Sequence, residues 1–254
     1  MNNIKILKLG GSLFTNKDAS VGTVKANMLD QLSNEISHYC LNYAGSLILV
    51  FGTGSFGHQP AKKYNVLQTF NATGTIETYK SVICLSNLLL ESLNKYGIHA
   101  MPIDIMSCVT AQNGIIKTMQ IDTIKLLLAN NFLPIICGNV VMDMQTKVNI
   151  VSSDQIAAYL SKKLNALRLG FGSIEHGVYD KNNAVIKEIN SHNFDELKKH
   201  IGHSQYTDVT NGMLGKVNAI LQIPSLQAYI FNATKKGNIS RFLNGETIGT
   251  KIVS

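Results

Sequence analysis

The 254-residue chain has no tryptophan, four prolines and four cysteines. Cys40, Cys84, Cys108 and Cys137 are widely scattered, which excludes a metal knuckle or a redox pair and reads as reduced core thiols. No run of about 18 apolar residues is present, so no membrane span is expected. The first residues, Met1-Asn2-Asn3-Ile4-Lys5, lead straight into a strand pattern, and no signal peptide is visible. Internal repeats, low-complexity tracts and obvious linkers are also missing. A cytoplasmic globular protein is the expectation.

Acidic residues are the other shortage, with 16 Asp and Glu against 23 Lys and Arg, a formal net charge of +7 and a pI near 9.1. That balance favours an anionic ligand. The pairs Lys62-Lys63, Lys162-Lys163, Lys198-Lys199 and Lys235-Lys236 stand apart, with no aromatic stripe between them, and read as solvated helix edges. A small phosphorylated molecule fits this charge as well as nucleic acid does.

What is present, at 45% hydrophobic and 15% charged residues, is a strand–helix alternation along the whole chain. Strands are predicted over 4–9, 47–51, 98–103, 133–137, 166–171, 227–231 and 249–253. Helical periodicity covers 24–43, 55–64, 76–96, 121–130, 152–164, 194–201, 210–221 and 239–243. Such alternation argues for a mostly parallel sheet with helices on both faces, a three-layer αβα sandwich. One domain over 1–254 is expected, with lobes 1–150 and 151–254 meeting at the polar turn 143–149.

Two glycine loops follow early strands: Gly10-Gly11-Ser12, and Gly52-Thr53-Gly54-Ser55-Phe56-Gly57-His58. Ligands of open α/β sheets bind beyond the carboxyl ends of the strands. Glycines there let backbone N–H groups approach an anion, and His58 would stand beside it. The same stretch also reads as a plain strand-to-helix turn capped by Ser55, with His58 merely exposed. Gly52-x-Gly54-x-x-Gly57 matches a dinucleotide fingerprint, but that motif needs an acidic residue about 20 positions on, at a strand end. Glu77 lies in a helix, so the nicotinamide reading is rejected. Lys8, inside an otherwise apolar strand, is an expensive place for an unpaired charge.

Lys8-Leu9-Gly10-Gly11-Ser12, Thr15-x-Lys17 and Gly54-Ser55-Phe56-Gly57-His58 together resemble the amino-acid-kinase superfamily, and within it the isopentenyl phosphate kinase branch. Further matches are Gly138-Asn139-Val140-Val141-x-Asp143, Val151-Ser152-Ser153-Asp154-Gln155, Asp208-Val209-Thr210-x-Gly212-Met213-x-x-Lys216, and the tail from Tyr229-Ile230-Phe231-Asn232 through Gly245-Glu246 to Ile252. The resemblance implies ATP-dependent phosphoryl transfer to isopentenyl phosphate, with Mg²⁺ on the ATP phosphates and a homodimeric assembly. It assigns Lys8 and Lys216 to the travelling phosphoryl group, Asp154 to holding them, Lys17 to the phosphates and His58 to the acceptor. The acceptor side would comprise Gly10, Gly11, Ser12, Gly52, Thr53, Gly54, Gly57, Asn139, Ser152 and Ser153. The nucleotide side would add Gly177, Tyr179, Asp180, Thr210, Gly212 and Met213 to Lys8, Gly10, Ser12 and Lys216.

The chain departs from the branch at two places. Phe51-Gly52-Thr53-Gly54 stands where His-Gly-Gly-Gly is usual, and Ser173-Ile174-Glu175-His176-Gly177 replaces Asp-Val-Asp-Gly. Two other readings follow: a fosfomycin-kinase-like enzyme acting on a phosphonate, because Ser152-Ser153-Asp154 is similar to that group, and a non-catalytic nucleotide-binding regulator. An isoprenoid tail would need an apolar cavity, expected along the helix 76–93.

Overall fold

The computed structural model describes residues 3–16, 22–43, 46–198 and 212–254. The chain begins with β1 (Lys5–Leu9), the single turn α1 (Gly11–Phe14), α2 (Ala26–Asn42), β2 (Leu47–Phe51), α3 (Ser55–Lys63) and α4 (Ala72–Asn94). It continues through β3 (Ala100–Ile103), α5 (Ile105–Cys108), β4 (Val109–Gln112), β5 (Ile115–Met119), α6 (Asp122–Ala129), β6 (Leu133–Cys137), β7 (Asn139–Asp143) and β8 (Lys147–Val151). Then come α7 (Ser153–Lys163), β9 (Arg168–Ser173), β10 (Glu188–Asn190), α8 (Phe194–Leu197), α9 (Gly212–Leu221), β11 (Gln227–Asn232), α10 (Asn238–Leu243) and β12 (Thr250–Val253).

Eight strands form one sheet in the order β10-β12-β11-β9-β1-β2-β6-β3. Every neighbouring pair is parallel except β11 with β12. Strands β2 and β6 are buried along their full length, as expected where helices cover both faces. On one face Ile6, Ile48, Val50 and Ile136 pack with Ala157 and Leu160 of α7 and Val217 of α9. On the other, Leu7, Leu49 and Phe231 pack with Leu32 of α2, Leu85 and Leu89 of α4 and Phe242 of α10. Removal from water of each Val, Leu, Ile or Phe side chain here is worth about 1.5–3 kcal/mol. The three-layer αβα sandwich is therefore present.

A second sheet, β5-β4-β7-β8, was not expected. The turn predicted as a lobe boundary is the tip of the β7–β8 hairpin, and the polar Asp143 in it is buried. Its carboxylate accepts from the backbone N–H groups of Asn113, Gly114, Gln145 and Thr146, at 3.2, 2.8, 2.9 and 3.0 Å. It thereby fastens that tip to the β4–β5 turn, where Asn113 and Gly114 have φ of 52° and 76°, the left-handed pair of a tight hairpin. Helix α4 starts four residues before the predicted position, because Asn71 caps it by accepting from Gly74 N at 2.8 Å. Of the helix predicted over 194–201, α8 covers the first four residues, and 199–211 lie outside the described residues. Among the described residues no helix is long and apolar enough to cross a membrane.

Candidate active site

The carboxyl ends of β1, β2 and β6 step across the sheet, and a glycine continues each. Gly10 N donates to Gly172 O at 2.9 Å, Gly52 N to Leu9 O at 2.8 Å, and Gly138 N to Phe51 O at 3.3 Å. The parallel ladder thus runs one residue past the strand ends before the chains diverge. The first two loops lie against each other: a Cβ on Gly11 would fall 2.2 Å from Gly54 N, and one on Gly52 would fall 2.6 Å from Gly11 N. Glycine is required there by close approach of two backbones. Gly57 is equally confined, since a Cβ would come 2.1 Å from Thr53 Oγ1. Gly138 backs onto Ser153 N and Val151 O, at 2.8 and 2.9 Å from a built Cβ, which brings Asn139, Ser152 and Ser153 beside the same strand ends.

Helix α7 begins here. Ser152 caps it, its Oγ accepting from Gln155 N at 3.2 Å, so the turn that follows places Asp154 over β1. Lys8 points to the same side, and its Nζ lies 2.7 Å from Asp154 Oδ1. From α9, the Nζ of Lys216 lies 3.3 Å from Oδ2. Both contacts are ion pairs, one lysine to each carboxylate oxygen. Side-chain exposures of 11%, 22% and 20% for Lys8, Asp154 and Lys216 put the triad at the floor of the site, reachable but largely dry. Burial pushes the Asp154 carboxyl upward, but the two ammonium groups outweigh that and hold it below its ordinary value. Two cations and one anion leave one net positive charge, set where a phosphate would meet it.

His58 is exposed in the first turn of α3, its N–H donating to Gly54 O at 3.0 Å. Helix α3 is capped by Gly54, at φ 51°, and not by Ser55, whose buried Oγ makes no hydrogen bond among the described residues. Ala61, three residues after His58 and so on the same helix face, packs with Val66, Val140 and Val148, a small apolar cluster separate from the two main cores. Tyr64, Tyr79, Met106 and Ile150 flank it. Of the helix expected to line an apolar cavity, Tyr79 is the member of this cluster, and its hydroxyl donates to Asp104 Oδ2 at 2.7 Å.

On the other side of the site, the substituted segment 173–177 keeps an ordered turn. Ser173 Oγ accepts from Glu175 N at 3.0 Å, and Asn232 Nδ2 donates to Ile174 O at 2.7 Å. Gly177 abuts Thr250, whose Oγ1 accepts from Val178 N at 2.8 Å. Asp180 Oδ1 accepts from Asn182 N and Ala184 N at 2.8 and 2.9 Å, and Tyr179 OH accepts from His176 N at 3.2 Å. Met213 packs against the core beneath Lys216. The other departure, Phe51, is a core residue, its ring edge-on to Phe14 at 5.6 Å. Lys17 and Thr210 lie outside the described residues. Thr15 and Asn232, quoted in the sequence only as parts of motifs, hold loops on opposite sides of the site.

A parallel sheet with glycine turns at its carboxyl edge and two lysines on one carboxylate defines a class, and the comparisons agree. Residues 3–232 match the model of the amino acid kinase family, and the chain belongs to that family. Its relatives include isopentenyl phosphate kinases: 31% identity to that of Methanocaldococcus jannaschii, over 98% of both chains, and 30% to that of Methanothermobacter thermautotrophicus, over 97% of this chain and 98% of the other. A solved isopentenyl phosphate kinase structure superposes with a TM-score of 0.85 at 27% identity, covering 99% of this chain and all of that one.

Proposed function

We propose that the protein transfers the γ-phosphoryl group of ATP to the phosphate of isopentenyl phosphate, releasing ADP and isopentenyl diphosphate. The observation that carries this reading is the shared carboxylate, which keeps Lys8 and Lys216 together. Transfer needs positioning and charge neutralisation more than covalent help from the protein. An acceptor phosphate oxygen attacks γ-phosphorus, the bond to the ADP oxygen breaks, and negative charge spreads over three equatorial oxygens. The two ammonium groups, with Lys17 and the N–H groups of Gly11 and Ser12, receive that charge, Gly10 holding the loop against β9 through its bond to Gly172 O. The acceptor is a dianion near neutral pH, its second pKa being about 6, so no general base is required. His58 seats it, together with Gly52, Thr53, Gly54, Gly57 and Asn139. Gly177, Tyr179, Asp180, Thr210, Gly212 and Met213 would flank the nucleotide, making residues up to 150 the acceptor lobe and the remainder the nucleotide lobe.

Asp154 is committed to two lysines. A magnesium ion would accompany the ATP phosphates with few protein ligands, adding neutralising charge there. Ala61, on the α3 face of His58, packs on the Val66–Val140–Val148 cluster with half-buried Tyr79, Met106 and Ile150 around it, and this apolar surround supports a phosphate with an apolar tail, ahead of a compact phosphonate. A homodimer acting in the cytoplasm completes the reading, and four free cysteines suit a reducing compartment. The test measures ATP consumption with isopentenyl phosphate, dimethylallyl phosphate, fosfomycin and a nucleoside monophosphate in parallel. Turnover is expected with the isoprenoid monophosphates. Turnover with fosfomycin alone, or ATP binding without turnover, contradicts the assignment.

A further inference from the structure

Thr15 joins the two glycine loops. It is fully buried, at 0% exposure. Its Oγ1 donates to Gly11 O at 2.9 Å and accepts from Ser55 N at 3.3 Å. A hydroxyl has one proton and spare lone pairs, and here the proton serves the first loop while a lone pair serves the second. The fit is close: a Cβ on Gly54 would lie 1.9 Å from Thr15 Oγ1. Gly54 O in turn accepts from His58 N at 3.0 Å and Gly57 N at 3.3 Å. Whatever fixes Gly54 and Ser55 therefore fixes the turn that carries His58. On the near side, Gly11 lies just beyond the strand that carries Lys8.

We propose that Thr15 is a positioning residue whose single hydroxyl sets the spacing between the Lys8 end of the site and the His58 end. This rests on the phosphoryl-transfer reading above. Thr15 acts through the loops it ties and touches neither substrate. Valine has nearly the same shape but can neither donate nor accept. It leaves Ser55 N unpaired and takes the side-chain partner from Gly11 O, which keeps only the Thr15 N–H at 2.9 Å, and a buried unpaired amide shifts to find a partner. Transfer between two bound phosphates tolerates little of this, because a displacement of about 1 Å can cost about 10²-fold in rate.

The experiment compares Thr15→Val and Thr15→Ser with the parent, measuring kcat and both KM values well below each unfolding midpoint. For Thr15→Val, kcat should fall about 10- to 10²-fold with both KM values within about threefold of the parent. Thr15→Ser, which keeps the hydroxyl and loses a methyl, should recover most of kcat. Parental kcat in Thr15→Val overturns the proposal, as does a serine variant no better than valine, or a loss that disappears on cooling. A substrate-free measurement separates this from the functional reading: hydrogen exchange at the Ser55 amide should be slow in parent and Thr15→Ser and at least about tenfold faster in Thr15→Val. A parent inactive on every acceptor overturns the functional reading and Thr15's part in transfer with it. Unchanged Ser55 exchange in Thr15→Val overturns the bridge itself.

Discussion

Lys8 and Lys216 share one counter-ion: the ammonium of the first is 2.7 Å from Oδ1 of Asp154, and that of the second 3.3 Å from Oδ2. Residues from the first strand and a late helix are thus held at one spot by a residue lying between them in sequence. A carboxylate can do this because it has two acceptor oxygens and a full negative charge.

Asp154→Asn keeps the shape and removes the charge. Both lysines then lie close together without an anion, and they should repel and splay. The expected result is a fall in kcat of about 10²-fold or more, with a modest change in the KM for the acceptor. Steady-state kinetics on the purified variant checks this, and a rate near the parent's would show that the pair needs no anchor.

His58→Gln retains a hydrogen-bond donor at a similar reach from the backbone, whereas His58→Ala has none. The acceptor's kcat/KM should fall about 10²-fold in the alanine variant, less in the glutamine variant, with the KM for ATP unchanged. Equal losses for ATP and acceptor would place His58 elsewhere in the mechanism.

Lys8 and the two glycine loops were legible in the sequence for physical reasons, whereas Asp154 and Lys216 stood out only through the family resemblance. A lysine in an apolar strand needs a partner, and glycines after two early strands mark backbone that must approach something closely. The small sheet is absent from the sequence reading although Asn113-Gly114 is a strong hairpin signal for its β4–β5 pair. Asp143, polar and inside a polar turn, gives no sign that it is buried and bound by four backbone N–H groups. The apolar cluster near His58 was missed for a related reason: Val66, Val140 and Val148 come from three separate segments, and no local period relates them. Thr15 sits in the run Leu13-Phe14-Thr15, where its hydroxyl reads as incidental.

Gly11→Ala tests the contact between the loops. The added Cβ would lie 2.2 Å from Gly54 N and 2.6 Å from Gly54 Cα, both backbone atoms that cannot swing aside. Thermal unfolding should show a loss of about 1–3 kcal/mol, and activity should fall even where the variant stays folded. A fully stable and active variant would mean the loops lie farther apart than described.

Asp143→Asn should cost about 2–3 kcal/mol by removing charge from four hydrogen bonds. Burial raises the carboxyl's pKa, yet the N–H groups of Gly114, Thr146, Gln145 and Asn113 outweigh it and hold the group well below its ordinary value of 3.8. A depressed folded pKa contributes stability above the unfolded value, and that contribution is lost as pH falls. Melting curves of the parent should therefore shift downward below about pH 4, with a shallower pH slope for Asp143→Asn. Identical slopes would contradict the assignment of this carboxylate as ionised.

The most direct test of the account is a single-turnover measurement of isopentenyl diphosphate formation from ATP and isopentenyl phosphate, comparing Lys216→Met with the parent. Methionine preserves the length of the side chain and deletes the charge beside Asp154. The account predicts diphosphate formation by the parent and a transfer rate lower by about 10²-fold or more in the variant, with ATP still bound. A variant that transfers the phosphoryl group at the parental rate would contradict it.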